Sequence, residues 1–394
     1  PSDLQIEKLR REHNAGVHAV DVLFNAEAPL LLNEALPNGL VWNFVPSGMD
    51  DDLSAEEMKP FLIQRHSSRV VYYNPELNPD GAPIDSLWDL TNADWTGRTL
   101  LPSPLEDGLS ANFIQTVLQN SDEMAAAYER EYGEPITYSE DVLETVAESA
   151  VISEPNASME WLYRLLANDP LFMSATTKIF KNVGDVKQDN PPLGITTFSK
   201  MRKNKPGVYA AQPIYDLDPV FGVSYPTALV MADMAPHPNA AKLLIRYMME
   251  EEGFTPWNEP GDFAARSSIE AKQMEDFNLP RFTDLKLWPI DPEEIYYTKY
   301  GFLALYLAAS LRNSRTLAAW ASALFLTVEA FRLSALAIPW VVDVEDRRTT
   351  IPALLQEINR SASFWVLTNY NYPAFPTAIL TQTPFVGLSS NNNF

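Results

Sequence analysis

The chain has 394 residues, 46% of them apolar and 21% charged, which is enough for two domains or one large α/β body. It contains no cysteine, which excludes disulfides, thiolate metal ligands and cysteine catalysis. Lys and Arg number 29 against 52 Asp and Glu, and the resulting formal charge of −23 disfavours general binding to nucleic acid or anionic membrane.

Strand-like and helix-like segments alternate along the first 300 residues. Apolar residues at helical spacing predict helices, and short β-branched runs bounded by turn residues predict strands. Repeated strand–loop–helix units are typical of a largely parallel sheet covered by helices. Strands are predicted at 18–24, 69–73, 194–199 and 223–231, and helices at 1–16, 28–36, 110–119, 121–151, 159–167, 172–183 and 240–251.

Two segments bear on the membrane question. Residues 1–16 are charged throughout, without the apolar core or cleavage site of a signal peptide, so the protein is either cytosolic or begins after processing; the abrupt start favours the second. Residues 317–342 are rich in Ala, Leu, Phe and Trp. Their longest uncharged run, 316–328, is shorter than the roughly 20 residues that span a bilayer, which favours a buried or partner-facing helix.

The sequence has none of the common catalytic or metal-binding signatures. It lacks the nucleophile-elbow, phosphate-loop, zinc-protease and paired-cysteine motifs, and its four histidines are scattered singly (His13, His18, His66 and His237). We therefore predict no catalytic residue, no metal and no cofactor. Acidic runs at 50–52 and 250–252 favour solvated surface. The cationic cluster at 200–205 (KMRKNK) favours a solvated loop over an anion site, with both left open.

Polar residues at predicted strand ends are the best candidates for a ligand site. Ligands of parallel α/β folds lie beyond the carboxyl ends of strands, where helix N-termini offer free N–H groups. Helix capping or turn formation also explains each loop by itself. Small polar residues there favour noncovalent recognition over catalysis. The predicted ligand-binding residues are Asn25, Ala26, Ser67, Tyr73, Ser103, Gly108, Ser110, Thr196, Thr197 and Tyr225.

Several strings together resemble one family. Residues 87–104 (LWDLTNADWTGRTLLPSP) resemble a segment of extracellular solute-binding proteins of the ferric-iron-binding type, which serve ABC importers. Residues 18–41, 69–77 (RVVYYNPEL) and 288–299 are similar to other family segments. The most specific likeness is at 235–254 (APHPNAAKLLIRYMMEEEGF). The likenesses run in family order over residues 4–300.

The resemblance implies a two-lobed, periplasmic-binding-protein-like α/β fold with crossover hinge strands and a ligand cleft between the lobes. It implies a first lobe at 1–84, a second lobe at 85–215, a return to the first lobe at 216–310 and a C-terminal extension at 311–394. It also implies an extracellular or periplasmic receptor that delivers a small-molecule solute to an ABC permease, with no nucleic-acid partner and no enzymatic activity.

The chain departs from the family in two respects. The family's adjacent iron-binding tyrosines are not found near residues 210–226, where Tyr209, Tyr215 and Tyr225 stand apart, so we expect a phosphorylated or carboxylated anion rather than ferric iron. The family's opening strand and helix do not precede Pro1, and residues 311–394 lie beyond its usual end. These departures support an alternative, a structural or interaction protein on a degenerate binding-protein scaffold, and an enzyme is the least favoured hypothesis.

Overall fold

A computed structural model describes residues 2–149 and 152–312. The chain divides into two compact units, one of residues 1–144 and 154–299 and the other of residues 145–153 and 300–394. The described part of the second unit buries Phe302, Leu305 and Tyr306 along one helix. The extension predicted from residue 311 lies outside the described residues from 313 onward, as does the whole apolar segment 317–342.

The first unit is built on one mixed sheet. Its strands are β1 (Val22–Asn25), β2 (Val41–Trp42), β3 (Leu62–Tyr73), β4 (Thr99–Pro102), β5 (Leu171–Met173), β6 (Leu193–Thr197), β7 (Gln212–Pro213), β8 (Gly222–Ala232), β9 (Asp262–Ala264) and β10 (Leu287–Pro289). The main path through the sheet is β1-β8-β3-β6-β4-β5.

The expectation of a largely parallel sheet is wrong. Strand β8 pairs antiparallel with β1, β2 and β3, and β3 pairs antiparallel with β6, β7 and β9. Among the described strands, β10 pairs parallel with β8, and β4 pairs parallel with β5 and β6. The reason is that the two longest strands run past each other in opposite directions, and most other strands pair with one of these two.

Helices surround the sheet. They are α1 (Ser2–Asn14), α2 (Ala28–Leu30), α3 (Ala55–Met58), α4 (Gly108–Gln119), α5 (Ser121–Tyr132), α6 (Glu140–Glu148), α7 (Ala157–Ala167), α8 (Thr176–Gly184), α9 (Pro238–Met249), α10 (Glu251–Phe254), α11 (Ser267–Phe277) and α12 (Pro292–Arg312). Short 3-10 turns and one π-helical turn at Leu31–Ala35 complete the set. Among the described residues, none of these helices has both the length and the apolar character for a membrane crossing.

Most predicted helices and strands are confirmed, with one clear error. The helix predicted over 172–183 begins only at Thr176, because Leu171–Met173 forms the short strand β5 beside β4. Local capping explains several helix ends. The Oδ1 of Asn156 accepts a hydrogen bond from the backbone N–H of Met159 at the start of α7, and Gly133 ends α5 with a φ of 74°.

Two hydrophobic cores lie at opposite ends of β3 and β8. The first contains Leu62 of β3 and Leu229 of β8 and packs against residues of α1, α9 and the π-helical turn. The second contains Val70 and Tyr72 of β3, together with Phe180 of α8. Strand β3 therefore belongs to both cores, and Phe221 of the second core directly precedes β8, which is the arrangement of crossover strands between two lobes. The boundaries at 84, 215 and 310 remain predictions.

Candidate functional site

The stretches of β3 and β8 between the two cores are polar. Residues 65–69 of β3 read RHSSR, and residues 224–227 of β8 read SYPT; Ser67 pairs with Tyr225, and His66 pairs with Pro226. Since side chains alternate along a strand, Ser67 and Tyr225 share one face of the sheet, and His66 lies on the other. The first of these two faces carries the candidate site.

Arg69 is the central residue of that face. Its side chain is 3% exposed, and its Nη2 donates a hydrogen bond to Oδ2 of Asp107. The other two guanidinium nitrogens, Nε and Nη1, are buried and have no hydrogen-bond partner within the described part of the chain. A buried donor without an acceptor costs about 1–3 kcal/mol, and more when it is charged. Arg69 therefore presents two unsatisfied charged donors, which suit an anionic acceptor such as a carboxylate or phosphate.

Asp107 connects Arg69 with the N-terminus of α4. Asp107 precedes Gly108 at the N-cap position, but its side chain does not cap the helix. Instead, its Oδ2 accepts hydrogen bonds from Arg69 and from the hydroxyl of Ser110, the latter at 2.6 Å. The predicted residues Gly108 and Ser110 thus lie beside Arg69, with the first-turn N–H groups of a twelve-residue helix behind them.

Three other predicted residues lie on the same face as Arg69. Thr197 of β6 pairs directly with Arg69, and its side chain hydrogen-bonds the hydroxyl of Tyr225. Burial raises the pKa of Tyr225, although the charge of Arg69 acts in the opposite direction, so its hydroxyl stays protonated and can donate. The hydroxyl of Ser67 donates to Oδ1 of Asp262 on β9.

Three cationic side chains lie around these groups. The Nε of Arg65 lies 3.4 Å from Oδ1 of Asp262, with its guanidinium over the ring of Phe24. Burial, followed by Arg202, Lys203 and Arg69, lowers the pKa of Lys200, which shows that this amine lies in a desolvated positive field. The carboxylates of Asp107 and Asp262 pair with Arg69 and Arg65, whereas two nitrogens of Arg69 stay unpaired within the described residues, and an anionic ligand would satisfy them.

The loop after β1 contributes a carboxylate from the other side of the site. Asn25 accepts a hydrogen bond at its Oδ1 from the backbone N–H of Glu27, 2.8 Å away, and Ala26 is buried between them. Glu27 is 4% exposed, and its Oε2 accepts a hydrogen bond from Nδ2 of Asn112 in α4 at 3.2 Å. A methyl group at Gly108 would lie 2.5 Å from Oε1 of Glu27, so the carboxylate rests against the first residue of α4.

The remaining predicted residues have their hydrogen bonds elsewhere. Thr196 pairs with Val70, and its hydroxyl donates to the carbonyl oxygen of Thr176 at 3.2 Å. The hydroxyl of Tyr73, at the far end of β3, accepts a hydrogen bond from the side chain of Gln212. Ser103 accepts one at its Oγ from the backbone N–H of Leu105 at 3.3 Å, within the turn before α4. Their role in ligand binding remains a prediction.

Sequence reasoning passed over Arg69, Arg65, Asp262, Glu27 and Lys200. A signal for the arginines was present, because a polar RHSSR run lies between the apolar residues 61–63 and 70–73. Such a run on a strand predicts a polar segment between two cores. The KMRKNK cluster carried the signal for Lys200, although a solvated loop was favoured there. No comparable signal pointed to Asp262 or Glu27.

One group of carboxylates could hold a cation. Oxygen atoms of Asp85, Asp89 and Glu131 lie within 4.8 Å of one another. Burial, followed by the charges of Asp89 and Asp85, raises the pKa of Glu131. Asp85 and Glu131 are exposed, and acidic groups of this kind are common at protein surfaces without a bound ion. The group lies apart from Arg69, and we assign it no metal.

Comparison with known proteins shows the fold. No protein-family model and no curated protein matches the chain. The iron-bound HitA of Pseudomonas aeruginosa is 17% identical, with a TM-score of 0.55 over 79% of this chain and 88% of that protein. Ferric ion-binding protein A of Pasteurella haemolytica is 16% identical, with a TM-score of 0.53 over 77% and 86%.

A substrate-binding protein of an ABC transporter from Agrobacterium tumefaciens is similar at the same level. It is 11% identical, with a TM-score of 0.52 over 83% of this chain and 84% of that protein. All three are binding proteins rather than enzymes by their descriptions. At these identities the likeness concerns architecture, and it confirms the two-lobed α/β fold that the sequence resemblance implied.

Proposed function

We propose that the chain is a solute-binding receptor that captures a small anionic solute, phosphorylated or carboxylated, and delivers it to an ABC permease. The observation that carries the proposal is Arg69, a buried guanidinium with two unsatisfied donors between the two cores. An extracellular or periplasmic location belongs to the same proposal.

The arrangement around Arg69 supports an oxyanion as the ligand. The Nε and Nη1 of Arg69 offer two charged donors, Lys200 adds a positive charge, and the hydroxyl of Tyr225 is a neutral donor beside them. Carboxylates that could bind a hard ferric ion already accept hydrogen bonds, Asp107 from Arg69 and Asp262 from Ser67. Tyr225 is held in its protonated form by burial, and its neighbours are cationic.

The lobes also provide a physical means of enclosing a ligand. Arg69 lies on a strand shared by both cores, Ser110 belongs to the helix that follows β4, and Glu27 follows β1 of the first core. A solute held by Arg69 would lie between the loop after β1, on the side of the first core, and the N-terminus of α4. Its binding energy could therefore favour a closed arrangement over an open one.

Ligand-dependent stabilisation tests the proposal. Binding to the folded state raises the free energy of unfolding by RT ln(1 + [L]/Kd), so the melting temperature should rise with ligand concentration. We expect such a rise with at least one member of a panel of inorganic phosphate, sulfate, sugar phosphates and di- and tricarboxylates, followed by calorimetric titration. If every member of the panel and ferric citrate leave the melting temperature unchanged, the receptor proposal is wrong.

Two variants at the site should act in opposite directions. Arg69→Gln removes the charged fork and should weaken anion binding roughly 10- to 100-fold. Asp107→Asn frees the third nitrogen of Arg69 and removes a competing negative charge, so it should strengthen binding. Arg246→Gln, at an exposed position on α9, is the matched control and should leave affinity unchanged.

An interaction protein is the second candidate, and one observation favours it. Leu243, Leu244 and Tyr247 are 69%, 46% and 47% exposed on one side of α9, which is unusual for large apolar side chains so close together. A permease could dock there, but so could another copy of the chain. Size-exclusion chromatography with light scattering separates the two, because a transport receptor should be monomeric and a scaffold should assemble.

A further inference from the structure

A second cavity lies on the opposite face of β3 from Arg69. It has a volume of about 450 Å³, and its lining includes His66 of β3 and Pro226 of β8, which pair with each other. Arg69 and Ser67 point to the other side of the same strand, since residues an odd number apart along a strand face opposite ways. The cavity and the anion site are thus separate.

The walls of this cavity are mainly apolar and partly aromatic. Phe61 and Ile63 form part of the lining from the first core. The rings of His66 and Phe282 stack at 4.7 Å between centroids, with an interplanar angle of 20°. A volume in the range of 300–1,000 Å³ with such walls suits a small organic molecule rather than an ion.

The lining of the cavity includes two acidic residues beside His66, Ser54 and Thr283. Glu57 and Glu56 contribute carboxylates, and no lysine or arginine belongs to the lining that the structure describes. Oε1 of Glu57 lies 3.4 Å from Nε2 of His66, and Oε2 accepts a hydrogen bond from the backbone N–H of Ser54 at 2.7 Å. Burial opposes ionisation of Glu57, but the hydrogen bonds from His66 and Ser54 outweigh it and lower its pKa, so the carboxylate is charged at neutral pH.

We propose that this cavity binds a small amine, with an aromatic or branched aliphatic body against Phe61, Ile63 and the His66–Phe282 stack and its ammonium group at Glu57. The charge of the cavity is complementary to an ammonium group and repels a carboxylate. An aromatic wall adds attraction for a cation. The ligand differs in sign from the anion proposed at Arg69, so the two sites would not compete.

Calorimetric titration of the full chain with three probes of similar shape tests the proposal. The probes are 2-phenylethylamine, 2-phenylethanol and 3-phenylpropanoate, which share a phenyl ring and differ in charge. We expect the amine to bind about 10-fold or more tightly than the alcohol, and the carboxylate to bind weakest, because a charged hydrogen bond contributes about 1.4 kcal/mol or more. The proposal is overturned if no probe binds or if the carboxylate binds as tightly as the amine.

Three variants test whether the probes bind in this cavity. Glu57→Gln keeps the side chain that can complete the α3 capping box and should abolish the advantage of the amine over the alcohol. Ala228→Leu fills the cavity from β8 and should weaken binding of both probes. Glu252→Gln, an exposed change on α10, is the control. An unchanged amine advantage in Glu57→Gln would contradict the assignment.

Arg69→Gln distinguishes this site from the proposed receptor site. It should remove anion binding and leave amine binding intact. If amine binding is lost in Arg69→Gln and in none of the cavity variants, the probe occupies the Arg69 site. That result would overturn the amine site in the cavity and leave the proposed anion site standing.

Discussion

The carboxylate of Glu27 rests against Gly108, the first residue of α4. A helix N-terminus is where sequence reasoning placed an anion, because its free N–H groups and its dipole favour negative charge. The chain thus places a carboxylate of its own at this position, carried by the loop after β1. The side chain of Glu27 thus connects the loop after β1 with α4, at a position that a bound anion could occupy.

Replacing Glu27 should create a requirement for an added carboxylate. Glu27→Ala leaves the side-chain amide of Asn112 without this acceptor, at a cost of about 1–3 kcal/mol in the free energy of unfolding. Formate or acetate should restore part of the lost melting temperature. Acetamide, which is neutral and of similar size, should not.

Two further variants sharpen this experiment. Gly108→Ala should displace the Glu27 carboxylate without removing its charge, and it should destabilise the protein without becoming responsive to formate. Glu76→Ala, at an exposed turn, is the matched control. A formate response of equal size in wild type and Glu27→Ala would show that the carboxylate does not occupy an anion position.

Anion affinity should decrease in alkaline solution. Because burial and neighbouring cations lower the pKa of Lys200 from its usual 10.5, its amine loses its proton at a lower pH than a free lysine does. Sulfate suits this measurement, since it does not titrate there. Its affinity should fall as pH rises towards 10.5, and Lys200→Arg should flatten that fall. Identical pH profiles for both proteins would count against a role for Lys200.

Acid should destabilise the protein through Asp52. Burial opposes ionisation of Asp52, but hydrogen bonds from Ser267, Ser268 and Arg266 outweigh it and lower the pKa from 3.8 to about 2. A lowered pKa stabilises the fold above the unfolded-state value, and this contribution is lost as pH falls through the range from about 4 to about 2.

Chemical denaturation as a function of pH measures this loss. Asp52→Asn should cost about 1–3 kcal/mol at neutral pH, because charged hydrogen bonds at the start of α11 are removed, and it should reduce the dependence on pH below 4. Asp51→Asn, at the exposed neighbouring position, should change neither. If Asp52→Asn retains the full acid dependence, another carboxylate is responsible.

A methyl group at Gly222 should disturb the pairing of β8 with β3. An added Cβ would lie 2.3 Å from the carbonyl oxygen of Arg69 and 2.8 Å from Cγ1 of Val70, and backbone atoms there have little room to move. Gly222→Ala should therefore lower the free energy of unfolding by roughly 1–3 kcal/mol. Ser224→Ala on the same strand should cost less, and equal losses in thermal unfolding would contradict this explanation.

Apolar periodicity was sufficient for most helices and for the apolar ends of strands. It predicted a strand at 69–73, whereas β3 begins at Leu62. The earlier part was missed because the polar run RHSS lacks the apolar pattern of a buried strand. The direction of the strands was predicted wrongly, since strand–loop–helix units suggest parallel pairing and the long pairing of β3 with β8 joins segments far apart in sequence.

The candidate site was predictable in its loops but not in its charges. Gly108, Ser110 and Asn25 follow from rules about helix N-termini and strand ends. The pairing of Arg69 with Asp107 depends on how two distant segments meet, and no local pattern encodes it. The same holds for Glu27 and Asn112, which lie 85 positions apart in the chain.

The position of β3 in both cores constrains the order in which a growing chain can fold on the ribosome. The first core needs Leu62 and also Leu229 and Ile245, so it stays incomplete until most of the second core has been translated. The residues of the second core up to Phe221 emerge earlier. Until then, Leu23, Leu31 and Leu40 remain exposed to solvent. A chaperone that binds this early segment should therefore raise the yield of folded protein more than one that binds near residue 200.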